Sequence, residues 1–382
     1  MKNLRKKGFT IVELVIVIAV IAILAAILIP TFVSITRRAN QSADQQAVAQ
    51  MNRLLAATQA SESLIEKDND AKTSINIYNA LIKEGYNYEF DAYYEKYSFG
   101  YVVDKGNAVI VLVEDNKIAF PKNYEGRTDY KEFFKAVENQ EDLISSFDTG
   151  YVILKTDAVF TEAISISNNL TVVANDKTVE DDAHLTTDGG ANSAVNINNA
   201  SEDIVVNISG VNISNPDDLY ARGLNFSNNT GKVTLVLENC EIKSHYYALN
   251  ISSSNTGGLD IIVRNSTIEG WAALNVWSKA NITFENCTLI GNDRSSSGEG
   301  FGTIVINSGA KDSSFTFVNC TIESNSASNN PNMDMANVRT EGISLTFKGC
   351  TYKYNGVAQS EFDITTVYDG VDYFNTTSIV IE

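Results

Sequence analysis

Leu235-Val-Leu-Glu-Asn-Cys-Glu-Ile242 recurs as IIVRNSTI (261–268), ITFENCTL (282–289), FTFVNCTI (315–322) and LTFKGCTY (345–352), after a weaker copy VNISGVNI (206–213). Successive copies start 29, 26, 21, 33 and 30 residues apart. A second pattern lies between them: Val195-Asn-Ile197, Leu224-Asn-Phe226, Leu249-Asn-Ile251, Leu274-Asn-Val276 and Ile304-Val-Ile306. Apolar residues alternate within each copy, the signature of a strand with one buried face. Strand-built repeats at this spacing are the coils of a parallel β-solenoid, each burying its apolar face on the next. Leu235 and Leu237 point inward, the chain bends at Asn239, and Cys240 and Ile242 point inward again. The bend column reads Gly210, Asn239, Asn265, Asn286, Asn319, Gly349, the residue types that best tolerate a left-handed backbone. A leucine-rich repeat would place its Asn one residue later and would carry helix-forming segments, which these copies lack.

This coil resembles the right-handed parallel β-helix of the pectate-lyase-like kind, expected over residues 150–361 with a cap or extension at 362–382. Cys240, Cys287, Cys320 and Cys350 share one inward column with Val211 and Ser266, and read as small stacked hydrophobes. Disulfides between neighbouring coils fit the spacing but are not required by it. Glu238, Arg264 and Glu285, and Lys243 against Glu269, alternate in sign between coils, as cross-coil ion pairs do.

The 382-residue chain has a formal charge of −18 and only two histidines. That balance disfavours a nucleic-acid binder, which needs a basic footprint, and excludes a multi-histidine metal centre. No C-x-x-C pair, G-x-S-x-G elbow, phosphate loop or H-E-x-x-H is present. Gly298-Glu-Gly-Phe-Gly302 has the wrong spacing for a dinucleotide site. Asp68-Asn-Asp70 is too short for a calcium loop.

The N-terminus carries a different signal. Residues 1–8 hold Lys2, Arg5, Lys6 and Lys7 and no acid, and no charge occurs from Leu14 to Thr36. A helix of that length spans roughly 30 Å of hydrocarbon. The basic flank stays cytoplasmic and the downstream chain crosses. A secretory signal would have a shorter apolar core and a small-residue cleavage site. Glu13 stands at the start of the apolar run, where an ionisable group marks a functional position.

KKGFTIVELVIVIAVIAILAAILIPTF (6–32) resembles the type IV prepilin N-terminus, shared by pilins and by the pseudopilins of secretion and competence machines. The resemblance covers about the first 60 residues. It implies that a prepilin peptidase in the cytoplasmic membrane removes residues 1–8, cutting after Gly8 and methylating the amino group of Phe9. It makes Glu13 the conserved-type acid at mature position 5 and Pro30 the helix-bending proline at position 22. Glu13 would then pair with the Phe9 amino group of a neighbouring pilin subunit. Losing one partner of such a buried pair costs several kcal/mol.

Downstream of Pro30 no glycine occurs before Gly85. One helix is expected over 9–67, with 9–36 in the membrane or filament core and a packing stripe at Ala47, Met51, Leu54, Thr58, Ser61 and Ile65. Residues 69–149 read as a small α/β pilin-like head. Its expected elements are a helix Ile75–Lys83 stopped by Gly85, strands Tyr97–Val103, Ala108–Val113 and Lys117–Phe120, and a helix Tyr130–Glu138. Tyrosines 86, 88, 93, 94, 97 and 101 are read as strand formers packing under the long helix.

The fold class is therefore α+β: long hydrophobic helix, small head, C-terminal β-helix. The expected function is a pilin-like surface filament subunit displaying a solenoid for adhesion. A pseudopilin, or a surface-anchored polysaccharide-degrading enzyme, is the alternative. No catalytic residue, metal or cofactor is assigned. The outward columns are mainly Thr and Asn, and the nearest acid–base groups, Asp217/Asp218/Arg222 and Asp293/Arg294/Glu299, are local loop clusters. DNA uptake is disfavoured, since losing the +4 leader takes the charge to −22. The solenoid edge varies most from coil to coil, and scaffolds of this type carry binding residues on such loops. Tyr246, Tyr247, Trp271 and Trp277 are the candidate ligand surface there, for a surface glycan or a protein.

Overall fold

The computed structural model describes residues 11–67, 70–86, 92–132, 147, 150–154, 158–160, 164–174, 183–187, 193–215, 220–293, 301–326 and 333–382. The chain divides into two compact units, Met1–Phe134 and Lys135–Glu382.

In the first unit a 49-residue helix, α1, runs Ile11–Gln59 with Pro30 inside it. Proline has no N–H to give the helix ladder. The apolar window has a mean hydropathy of 3.3 and none of it is buried. Beyond it, Asp44, Val48, Met51, Leu55 and Thr58 form the buried stripe. Met51 and Thr58 match the expected stripe, whereas Val48 and Leu55 take the places assigned to Ala47 and Leu54. An apolar count misses the reason, which is Asp44. Its carboxylate accepts the backbone N–H groups of Tyr93 (2.8 Å) and Tyr94 (2.9 Å), and this fixes which face turns inward.

The helix ends at Gln59 rather than near Lys67, so Ser61 and Ile65 lie beyond it. The Thr58 carbonyl accepts the N–H groups of Ser61 (3.0 Å) and Glu62 (3.1 Å) and the Ser61 hydroxyl (2.9 Å). Local serine bonding of this kind competes with helix continuation. The next helix, α2, is Asp70–Lys83 and stops at Gly85, whose φ is +82°. It begins five residues before the expected start, with Asp70 in its first turn, where a carboxylate favours the helix dipole.

Strands Ser98–Asp104, Asn107–Glu114 and Lys117–Phe120 form an antiparallel sheet, with Lys131–Glu132 paired to Gly100 and Tyr101. The expected helix Tyr130–Glu138 is thus contradicted at Lys131–Glu132, and its remainder from 133 lies outside the described residues. Gly100 explains the strand: a Cβ there would stand 2.9 Å from the Lys131 carbonyl oxygen, so only glycine lets that backbone approach. Lys117–Phe120 pairs only with Leu112–Glu114, leaving the outer edge of Asn107–Val111 open. Two amides of α1 fill it. Asn52 donates to the Ile110 carbonyl (2.9 Å) and accepts from its N–H (2.7 Å), and Gln59 does the same at Ala108. Edge groups left unpaired template aggregation. Tyr86, Tyr94 and Tyr101 are buried and Tyr93 is exposed, while Tyr88 lies outside the described residues.

The second unit is a parallel β-helix of three sheets. In the coil that contains LVLENCEI, Val233–Glu238 belongs to the first sheet, Glu241–Ser244 to the second and Tyr247–Ile251 to the third. First-sheet strands run from Tyr151–Leu154 to Ser378–Ile381, in parallel register throughout. The strands Ile364–Thr365 and Ser378–Ile381 continue the third and first sheets, and Val357–Ala358 folds back antiparallel on Thr351–Tyr354. Every residue of the bend column has positive φ, from +48° at Asn265 to +65° at Gly210. Inside, Phe284, Phe317 and Phe347 stack with centroids 5.2 and 4.9 Å apart. Cys240, Cys287 and Cys320 are buried thiols and Cys350 is half-buried. Arg264 bonds Glu285 (2.8 Å) and Lys243 bonds Glu269 (3.1 Å) across coils.

Asn319 combines a φ of +54° with a bond from its amide to Asn286 Oδ1 (3.3 Å). Asn319→Ala should lower β-helix stability by about 2 kcal/mol, the cost of left-handed backbone without Asn plus the lost bond. Asn319→Gly, which keeps the backbone and loses only the bond, should cost about half that. Urea unfolding followed by circular dichroism compares the two.

Candidate functional site

The third sheet has one face in the core and one outward. Along it the core takes Val195/Ile197, Leu224/Phe226, Leu249/Ile251 and Leu274/Val276. The asparagine between each pair turns outward and bonds the coil before it: Asn225 to Asn196 (2.8 Å), Asn250 to Asn225 (2.7 Å) and Asn275 to Asn250 (2.7 Å). Asn307 continues the chain to Asn275 (2.9 Å). Asn225, Asn250 and Asn275 each donate one of these bonds and accept another and are buried, so this ladder builds the face and has little left to offer a ligand.

The aromatic cluster lies at the corner where the second sheet passes to the third. Tyr246 N–H donates to the Ala221 carbonyl (2.9 Å) and Trp271 N–H to the Tyr246 carbonyl (2.6 Å). Tyr246 and Trp271 therefore occupy one position in successive coils, with centroids 5.0 Å apart. Tyr220 meets the Tyr246 ring edge-on at 5.6 Å, and Tyr247 packs on it at 3.7 Å. Tyr247 is buried with Ala272 and Val305 and donates its hydroxyl to Tyr246 (2.8 Å). Burial first, and then this bond, hold its phenol far above the usual range. Tyr247 is thus the floor of the cluster. Tyr220, more than half exposed, is its outer wall.

Trp277 does not join them. It follows the strand Ala272–Val276 that Trp271 precedes, which separates the two indoles by about 20 Å at the rise of a strand. Arg222, singled out above only as part of a loop cluster with Asp217 and Asp218, also lies at this corner. It begins a third-sheet strand next to Ala221, and its Nε is buried without a hydrogen-bond partner. A buried guanidinium N–H left unmade is a costly donor awaiting an acceptor. Nothing in its local sequence distinguishes it from any exposed arginine.

A second grouping was also missed. Asp334, on the strand Met333–Val338, accepts from the Asn337 amide (3.0 Å), while Arg339 Nε donates to Asn337 Oδ1 (2.8 Å). Arg339 also stacks over Tyr368 at 4.6 Å. Burial raises the Asp334 carboxyl, and the charge of Asp363 from the next coil adds to it. Burial raises Asp363 too. Two carboxylates on adjacent coils beside an arginine are an acid–base pair separated by 29 residues of sequence, which no local reading joins. Of the loop clusters first singled out, Asp217, Asp218, Arg294 and Glu299 lie outside the described residues. Among the described residues no group of three His, Cys, Asp or Glu could hold a metal ion.

At the other end of the chain, Gly8 and Phe9 lie outside the described residues. Glu13 sits in the first turn of α1 and is exposed, as are its apolar neighbours Val12 and Leu14. Pro30 lies within the same helix and is exposed.

Comparison with known proteins separates the two ends. A family model described as the prokaryotic N-terminal methylation motif matches residues 3–29. The chain is 56% identical over 39 residues to the type IV narrow pilus major component of Thermus thermophilus, which is 10% of this chain and 34% of that protein. It is 61% identical over 36 residues to the type IV wide pilus major component of the same organism, 9% of this chain and 28% of that one. The chain thus spans about a third of the length of the curated relatives it matches. Among solved structures it is similar to rice weevil pectin methyl esterase, with a TM-score of 0.37 and 11% identity over 65% of this chain and 88% of that one. It is also similar to the pectin methylesterase from Aspergillus niger, with a TM-score of 0.33 and 16% identity over 59% of this chain and 84% of that one.

The raised Asp334 carboxyl has a pH consequence. The folded state holds this proton more tightly than the unfolded chain does, so its contribution is fully present below the ordinary carboxylate value. Stability should fall as pH rises from there through the folded value, and then level off. Urea unfolding between pH 3 and 7 should show a smaller fall for Asp334→Asn than for the wild type. Superimposable curves would remove the burial assigned to Asp334.

Proposed function

We propose that the chain is a type IV pilin-like filament subunit, cleaved and N-methylated at Phe9 by a prepilin peptidase, that displays its β-helix outside the cell. One observation carries this reading. The segment that matches the methylation motif is also the helix half whose apolar surface lies uncovered among the described residues. Such a surface is stable only in lipid or against other apolar helices, and a filament subunit meets both in turn. Before assembly the helix spans the cytoplasmic membrane once. After assembly it lies in the fibre core, with the compact unit built on α1 as the pilin-like head.

In this reading Glu13 neutralises the methylated amino group of a neighbouring subunit's Phe9. Glu13→Ala is expected to leave leader removal and membrane insertion intact and to reduce incorporation into surface filaments at least tenfold, as loss of a buried charge partner requires. Mass spectrometry of the N-terminus and immunogold microscopy of sheared filaments measure the two steps. A mature chain beginning anywhere but Phe9, or undiminished incorporation, would sink the assignment.

The β-helix serves adhesion through the corner cluster. Tyr246 and Trp271 offer ring faces to a sugar, and Tyr220 an exposed edge. Trp271→Ala should weaken glycan binding by the full-length protein about tenfold, the worth of one aromatic contact, with its circular dichroism unchanged. A glycan array followed by titration reads this, and equal binding by the variant would remove Trp271 from the site. The Asp334–Asp363–Arg339 grouping favours a second reading, an enzyme acting on surface polysaccharide. Turnover of a polysaccharide panel that Asp334→Asn abolishes would support it.

A further inference from the structure

The thiol column is more ordered than a set of core fillers needs to be. Thr288, Thr321 and Thr351 are direct partners across three parallel strands of the second sheet. Cys287, Cys320 and Cys350 precede them, so these three cysteines stand one above another in consecutive coils. The backbone ties them closely, with Thr321 N–H on the Cys287 carbonyl and Thr351 N–H on the Cys320 carbonyl, both at 2.9 Å. Neighbouring strands lie about 4.8 Å apart, inside the roughly 4.4–6.8 Å that a disulfide allows between Cα atoms. Their side chains point the same way. Each thiol reaches a carbonyl of the preceding coil, Val263 for Cys287, Phe284 for Cys320 and Phe317 for Cys350.

The thiols of the column also act on one another's protons. The neighbouring Cys320 holds the Cys287 thiol below its ordinary value, while Cys287 in turn raises Cys320 to about 11. Exposure is graded along the same line. Cys287 and Cys320 are buried and Cys350 is half-buried, so an oxidant reaches the column at Cys350. Cys240 stands outside it. Ser266 fills the intervening coil, its hydroxyl accepting the Cys240 N–H at 3.0 Å, and two coil spacings exceed the reach of a disulfide.

We infer that Cys320 and Cys350 form a disulfide between the last two full coils when the β-helix stands in an oxidising compartment, with Cys287 and Cys240 remaining thiols. The compartment rests on the extracytoplasmic placement proposed above. The oxidant is a small or protein disulfide. Its S–S bond is broken by the Cys350 sulfur, giving a mixed disulfide and one thiol. Cys320 then attacks the Cys350 sulfur and gives up its proton to the remaining half of the oxidant, which leaves as the second thiol. Two protein thiols are oxidised and one oxidant disulfide is reduced. The bond pins the end of a solenoid, where coils have a neighbour on one side only and open first.

The test uses the full-length protein in detergent with oxidised glutathione as the oxidant. Unfolding in the presence of a maleimide and weighing the product should count two reactive thiols out of four. Non-reducing peptide mapping should recover the Cys320–Cys350 pair, and the thermal midpoint should rise on oxidation. Cys320→Ala and Cys350→Ala should each keep three thiols and show no rise. Cys240→Ala and Cys287→Ala should each keep the bond. Four reactive thiols after oxidation, a Cys287–Cys320 pair or any bond to Cys240 would overturn the inference. Protein trapped with maleimide in cells separates the premise: a bond that forms in vitro while cells yield four thiols overturns the extracytoplasmic placement instead.

Discussion

A left-handed residue at one fixed corner of each coil from Gly210 to Gly349 holds the β-helix together. At the bend column the chain leaves the first sheet and enters the second within two residues, which right-handed or extended backbone cannot do. Asn239, Asn265, Asn286 and Asn319 accept the strain, with glycine at Gly210 and Gly349. Because the bend recurs at a fixed place, the strand before it and the strand after it stay in register through every coil. That register stacks phenylalanine on phenylalanine, amide on amide and thiol on thiol. The corner from the third sheet to the first also carries left-handed residues, Asn199, Asn228, Gly258, Asp312 and Gly342, but in connections whose lengths differ from coil to coil.

The long helix is governed by an opposite condition. Its first half is uncovered among the described residues, while its second half is fastened by polar atoms rather than by an apolar stripe alone. Asp44 holds the Tyr93–Tyr94 backbone, and Asn52 and Gln59 occupy a strand edge. Each bond satisfies a backbone group that would otherwise be buried unpaired, so each specifies one rotation of the helix on its sheet.

These cases show what the sequence made legible. Period-two alternation and the Asn/Gly column disclosed the solenoid because both signals are local and repeated. The apolar run and Glu13 disclosed the helix for the same reason. Helix rotation and the strand at Lys131 were hidden, since they depend on Asp44 acting as an acceptor and on the missing Cβ of Gly100. At the candidate ligand surface, three of the four aromatic residues come together because they share a coil corner. Trp277 was grouped with them only by residue type. The burial of Arg222 and the Asp334–Asp363 pair were invisible, because burial and proximity across coils leave no mark on neighbouring residues.

The same accounting bears on where recognition can occur. A β-helix face lined by asparagines invites a reading as a polar binding groove. Here each ladder amide already donates to the coil before it and accepts from the coil after it, and Asn250 and Asn275 are 5% and 1% exposed. A ligand laid on that face would have to break bonds to make bonds, with little net gain. The corner differs in kind. Tyr220 exposes ring surface that packing has not used. Specificity in this fold therefore belongs to groups that the coil repeat leaves unsatisfied, and a coil can change its ligand by altering a corner residue without disturbing the register that holds it.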